Sequence, residues 1–70
     1  MTATLLSLPL PAAQRRELCR AVFEAYACNT DAIARRHPGD IRRTRDIYDA
    51  RVSACAVHGI SEQQALREGA

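Results

Sequence analysis

The stretch DIRRTRDIYDARVSACAVH, residues 40–58, decides the fold. At about 100° per residue of an α-helix, its apolar side chains gather on one side and its charged side chains on the other. The apolar side is formed by Ile41, Thr44, Tyr48, Val52 and Cys55, with Ile47, Ala54 and Ala56 at its edges. The pattern predicts one long amphipathic helix, and the rest of the chain is expected to cover its apolar face.

Both ends of this helix carry sequence signals. Asp40 is a favourable N-cap residue, because its side-chain oxygen can accept a hydrogen bond from a backbone N–H of the first turn. Gly59 followed by Ile60 is typical of a helix that ends in a left-handed residue with an apolar contact after it. We therefore expect the helix to begin at Asp40 and to end near His58.

A second amphipathic helix is predicted from Pro11 to about Ala27, since proline is favoured at the first helical position. Its apolar residues have the spacing of a helix that lies on a core, and they are Leu18, Cys19, Val22, Phe23 and Tyr26. The capping residues at 29–31 predict a break in this helix. A separate short helix is then expected from Asp31 to about Arg36, ended by the His-Pro-Gly sequence at 37–39.

After Gly59, a capping box that begins at Ser61 predicts a last short helix to about Glu68. The expected fold is a small all-α domain over residues 11–70. It consists of two long antiparallel amphipathic helices joined by a short helix, with a short C-terminal helix. Two such helices alone leave part of their apolar surface uncovered, so a homodimer is one expectation.

Residues 1–10 are predicted to form an extended apolar arm, because Pro9 and Pro11 disfavour a helix there. The arm carries four leucines, Leu5, Leu6, Leu8 and Leu10. They either pack across the two main helices and complete the core, or bind a partner or a second copy. Under the second interpretation, Leu5, Leu6 and Leu8 are partner-binding residues.

Composition limits the class of protein. With one Phe, two Tyr and no Trp in 70 residues, the core must be thin. An odd number of cysteines, three, without a basic segment before the leucines, indicates reduced thiols in a cytoplasmic protein with no membrane segment. The ten basic residues are all arginine, which fits a GC-rich bacterial or phage gene, and the net charge of +2 does not by itself require nucleic acid.

No group of residues predicts catalysis or a cofactor. The serines have no base and acid arranged around them, and the three glycines are isolated, so no phosphate loop is formed. Cys19 and Cys28 would point in opposite directions on a continuous helix, and no paired C-x-x-C is present. We therefore expect neither an enzyme nor a metal site, and we expect Cys19 and Cys55 to face each other as small buried residues.

Residues 35–45 hold the one local excess of charge, with Asp40 as the single acid among five arginines. These arginines are Arg35, Arg36, Arg42, Arg43 and Arg45. They could form a solvated face, bind a protein partner with an acidic surface, or bind nucleic acid. Binding to nucleic acid is disfavoured because Asp46 and Asp49 lie on the same solvent-facing side of the helix as the arginines. Their spacing also allows them to pair with Arg42 and Arg45.

The segment TDAIARRHPGDIRR, residues 30–43, resembles a helix-turn-helix, although His37 stands where an apolar residue is usual. The resemblance implies a DNA-binding transcriptional regulator. Arg42, Arg43 and Arg45 would then lie near the start of a recognition helix, with Arg35 and Arg36 on phosphates.

The leading hypothesis is a small non-enzymatic interaction module. It would bind and regulate, by inhibition, a larger bacterial protein, as a phage-type accessory inhibitor does. The surface would consist of the five arginines and the arm leucines, because arginine can form forked contacts with carboxylates.

Overall fold

The computed structural model describes residues 10–70, which form three α-helices. Helix α1 spans Ala12–Arg35, α2 spans Pro38–Ala56 and α3 spans Glu62–Gly69. The predicted all-α fold is confirmed. Leu5, Leu6 and Leu8 of the expected arm lie outside the described residues, while Leu10 is half-buried and packs against the core.

Helix α1 is one continuous helix of 24 residues, so the predicted break at 29–31 and the separate short helix are wrong. The capping residues there have other partners. The Asn29 side chain donates hydrogen bonds to the Ile41 carbonyl oxygen at 3.2 Å and to Thr44 Oγ1 at 2.9 Å, and Asp31 accepts one from Arg35 at 2.9 Å. With these polar groups occupied by α2 and by the next helical turn, nothing ends the helix.

The turn between α1 and α2 is formed by two residues, Arg36 and His37. Arg36 ends α1 in the left-handed conformation, with φ 56° and ψ 44°. His37, not Asp40 as predicted, is the N-cap of α2, and its Nδ1 accepts a hydrogen bond from the Asp40 N–H at 3.1 Å. The N-cap therefore lies three residues earlier than predicted, with Pro38 in the first turn of the helix.

Helices α1 and α2 run antiparallel, as their cross-contacts show. Asn29 contacts Thr44 near the turn, whereas farther along α1 the Leu18 carbonyl accepts a hydrogen bond from the Cys55 thiol at 3.7 Å. The predicted apolar side of α2 is confirmed, because all five of its residues are buried or half-buried.

The core lies where the three helices meet, and each of its five members is at most 1% exposed. The members are Cys19, Val22, Cys55, Ile60 and Ala65. Ile60 reaches the core because Gly59 takes the left-handed conformation predicted for it, with φ 76°. Most of the core residues are small, so the core is thin, as the composition indicates.

Helix α3 packs mainly on α1, and the C-terminal end of α3 lies close to α1. The predicted capping box at Ser61 is confirmed, since Ser61 and Gln64 each accept a hydrogen bond from the other's backbone N–H. Arg15 forms a forked ion pair with Glu68, with both N–O distances at 2.8 Å. Gly69 lies so close to the Cys19 carbonyl that a Cβ there would be 2.2 Å from its oxygen.

Within residues 10–70, no helix combines the length and the apolar character needed to cross a membrane.

Candidate interaction surfaces

The five arginines of residues 35–45 are all exposed, but they do not form one patch. Asp40 lies between two of them, at 2.7 Å from Arg43 and 3.6 Å from Arg35. Arg45 pairs with Asp49 at 3.3 Å, as its spacing predicts. Since α2 turns about 100° per residue, Arg43 and Arg45 lie about 160° apart around its axis.

Two of the five, Arg36 and Arg42, have no carboxylate in an ion pair within the described part of the chain. The predicted pair of Arg42 with Asp46 is not among the ion pairs there. The guanidinium groups of Arg36 and Arg42 are therefore the two in this cluster whose charge and N–H donors are available to another molecule.

Arg36 occupies a backbone position that usually belongs to glycine. The C-termini of α1 and α2 have the same pattern, in which two successive N–H groups bond back to helix carbonyls: Arg36 and His37 at α1, Gly59 and Ile60 at α2. The left-handed residue is Gly59 in one and Arg36 in the other. A left-handed conformation costs a non-glycine residue about 1–2 kcal/mol, so backbone stability favours glycine at position 36.

An open groove runs between α1 and α2, and a section of it near the middle of the two helices encloses about 360 Å³. Small or apolar side chains form its floor, with charged residues at its walls. This section is lined by Ala21, Glu24, Ala25, Cys28, Arg43, Thr44, Ile47 and Arg51. Ile47 is 42% exposed here, so an apolar side chain that a folded partner could cover is left in water.

The groove continues toward Leu10, because Ala21 and Arg51 also line a second section with Glu17 and His58. This groove and α3 lie on different sides of α1. Cys19 is under α3, and the helical rotation sets Cys28 about 180° from it.

The charges along the groove are separated by helix. Glu17 and Glu24 belong to α1, whereas Arg43 and Arg51 belong to α2. Neither Glu24 nor Arg51 forms an ion pair across the groove within residues 10–70; Glu24 instead has an exposed contact with Arg20 at 3.4 Å. The groove therefore has an acidic wall and a basic wall, and on the basic wall Arg43 also pairs with Asp40 at 2.7 Å.

The three cysteines are free thiols in different surroundings. Cys19 and Cys55 are both buried in the core, as predicted, and burial raises the pKa of each thiol. Cys28, which follows the predicted end of the first helix at about Ala27, lies inside the long α1 and is exposed on the groove. Among the described residues, no three His, Cys, Asp or Glu side chains come together as metal ligands would.

The groove residues of α1 are not among the apolar residues predicted for this helix, because the prediction assigns it a single apolar stripe. Ala25 and Ala32 are buried and Ala21 is half-buried, and Ala21 and Ala25 line the groove beside α2 residues. The signal was available, because these alanines and Cys28 recur at spacings of three and four residues. These residues widen the apolar side of α1 on the side of the helix away from α3.

No protein-family model, curated protein or solved structure matches the chain.

Proposed function

We propose that this protein is a small non-enzymatic interaction module that binds an acidic surface on a larger bacterial protein and inhibits it. The observation that carries the proposal is the arginine at position 36. It combines a backbone conformation that favours glycine with an exposed guanidinium that has no carboxylate partner in the described residues. A residue that is unfavourable for its backbone position points to a role in binding.

Arg42 and the paired arginines would extend the same contact surface. Arg42 follows the turn by five residues and is also unpaired among residues 10–70. Arg35 and Arg43 share Asp40, so their charge is partly neutralised before any partner arrives. We therefore assign the main contacts to Arg36 and Arg42, with Arg35 and Arg43 in support.

Arginine suits this role because its planar guanidinium presents two parallel N–H donors to one carboxylate. A partner surface of Asp and Glu side chains could accept such forks. Arg45 faces away from Arg43 and already pairs with Asp49, so it is expected to contribute less. Leu5, Leu6 and Leu8 remain proposed as an additional apolar contact.

The test begins with Arg36→Gly. Glycine removes the backbone strain, so the free energy of unfolding should rise by up to about 1 kcal/mol, partly offset because the arginine charge at the helix C-terminus is itself favourable. Partner binding should nevertheless weaken. Arg36→Lys is the matched control, because it keeps the charge and loses the fork.

The partner is sought by affinity purification of tagged protein from bacterial lysate, with and without nuclease. A discrete protein that is retained after nuclease treatment, is lost with the Arg36→Gly/Arg42→Ala variant and is inhibited by the wild-type chain supports the proposal. Equal recovery by the wild type and this variant contradicts it.

The same experiment separates the alternative function, a helix-turn-helix DNA-binding regulator. In the structure, residues 30–35 are the end of a long helix and not a short helix of their own. If the captured material disappears with nuclease and with moderate salt, the steep salt dependence of phosphate contacts identifies nucleic acid as the partner.

A further inference from the structure

We infer that the groove between α1 and α2 is covered by the same groove of a second copy of this chain, which gives a twofold symmetric four-helix dimer. This inference does not rest on the proposed function, because it uses neither Arg36 nor Arg42, to which the main partner contacts are assigned; the two proposals share only Arg43. It is carried by the separation of charge between the two helices and by the exposed side chains of Cys28 and Ile47 in the groove.

The floor can accept another pair of helices at close range. Ala21, Ala25 and Cys28 are small, so they allow a helix of the second copy to approach α1. Ile47 projects from α2 and is 42% exposed. In a dimer the two exposed members, Cys28 and Ile47, would be removed from water, while α3 would stay on another side of α1.

The charges select one of two symmetric arrangements. A twofold axis perpendicular to the helices sets α1 on α1 and α2 on α2, which brings the acidic walls together and the basic walls together. A twofold axis parallel to the helices sets α1 of one copy on α2 of the other at the same height. Opposite charges then meet, and every contact occurs twice because the interface is isologous.

The residues that would meet are defined by the groove sections. Glu24 lines the same section as Arg43 and Arg51, so in the parallel arrangement it faces these two arginines of the second copy. Glu17 lines the adjoining section with Arg51 and His58, and it faces those side chains of the second copy. Both acidic positions on α1 are thus matched by basic positions on α2.

The area of this face fits a weak, reversible dimer. Helix α2 has 19 residues, which gives a length of about 28 Å, and two helices side by side are about 20 Å wide. The face of one copy is then roughly 560 Å², and the dimer would bury roughly 1,100 Å² in total, close to the lower limit for specific interfaces. We therefore expect dissociation on dilution.

The experiment is sedimentation equilibrium of the full chain from micromolar to millimolar concentration, with circular dichroism to verify that each variant is folded. Glu24→Arg and Arg51→Glu each place like charges at two symmetric points, so each should raise the dimer dissociation constant about 10-fold or more. The double variant Glu24→Arg/Arg51→Glu restores opposite charges and should return the constant to within a few-fold of the wild type.

Arg67→Glu is the matched control. It is an exposed charge reversal on α3, which lies on a different side of α1 from the groove, and it should leave the dissociation constant unchanged. A wild-type chain that stays monomeric at millimolar concentration overturns the inference and leaves the groove to a different occupant. A double variant that dimerises no better than the single variants also overturns it.

Discussion

Ile60 is expected to be the side chain whose truncation costs the fold most. Among residues 10–70 it is the largest fully buried side chain, 1% exposed, and it belongs to a core cluster of five buried residues. Its backbone N–H also closes the end of α2 on the Cys55 carbonyl at 3.0 Å. The side chain therefore joins the end of α2 to the start of α3.

The change Ile60→Ala removes three carbon atoms from this core. At about 0.8 kcal/mol per buried methylene, the loss of transfer free energy is about 2.4 kcal/mol. The remaining cavity adds to it, and measured values for such truncations are about 2–5 kcal/mol. A 70-residue domain has a free energy of unfolding of roughly 4–10 kcal/mol. We therefore expect a loss of about 3 kcal/mol, which is roughly 30% or more of the total.

The assay is urea unfolding followed by far-ultraviolet circular dichroism. Ile33→Ala is the matched control, because it makes the same chemical change at a side chain that is 53% exposed within α1. The control should change the free energy of unfolding by less than about 0.5 kcal/mol. If the two variants lost equal stability, Ile60 would not be a core residue in solution.

Three further changes address other contacts. Gly69→Ala places a Cβ against the Cys19 backbone, and this overpacking should lower the free energy of unfolding by about 1–3 kcal/mol, measured by urea unfolding. Asn29→Ala leaves two α2 acceptors without their donor and should cost about 1–2 kcal/mol in the same assay. The Arg15 ion pair lowers the pKa of Glu68, so the stability that this carboxylate provides is complete above its unfolded-state pKa and is lost as pH falls through the lower folded-state value. The Tm difference between wild type and Glu68→Gln should therefore shrink on acidification.

The sequence predicted those parts of the fold that are specified locally. The apolar period of residues 40–58 identified α2, and Gly59 with Ile60 identified how it ends, because both signals depend on neighbours in the chain. The unbroken length of α1 was not predicted, because the Asn29 side chain donates a hydrogen bond to Thr44, a residue 15 positions away. Only the tertiary structure shows that a potential capping residue has such a partner.

The candidate surfaces divide in the same way. The excess of arginine was visible in the sequence, but which guanidinium groups stay unpaired depends on how the turn places Asp40 between Arg35 and Arg43. The left-handed conformation of Arg36 was not predictable, because no glycine or asparagine marks it. The groove required the relative placement of two helices, and neither of them specifies it alone.

Because the three cysteines are buried to different extents, their reactivity can report the separation of α3 from α1. Cys28 is exposed in the single chain and should react with a thiol reagent immediately at dilutions where the inferred dimer is dissociated, whereas Cys19 and Cys55 are buried in the core. The Cys19 thiol also donates to Glu68 Oε1 of α3 at 3.8 Å. Slow alkylation at Cys19 would therefore measure how often α3 leaves α1, without any added label.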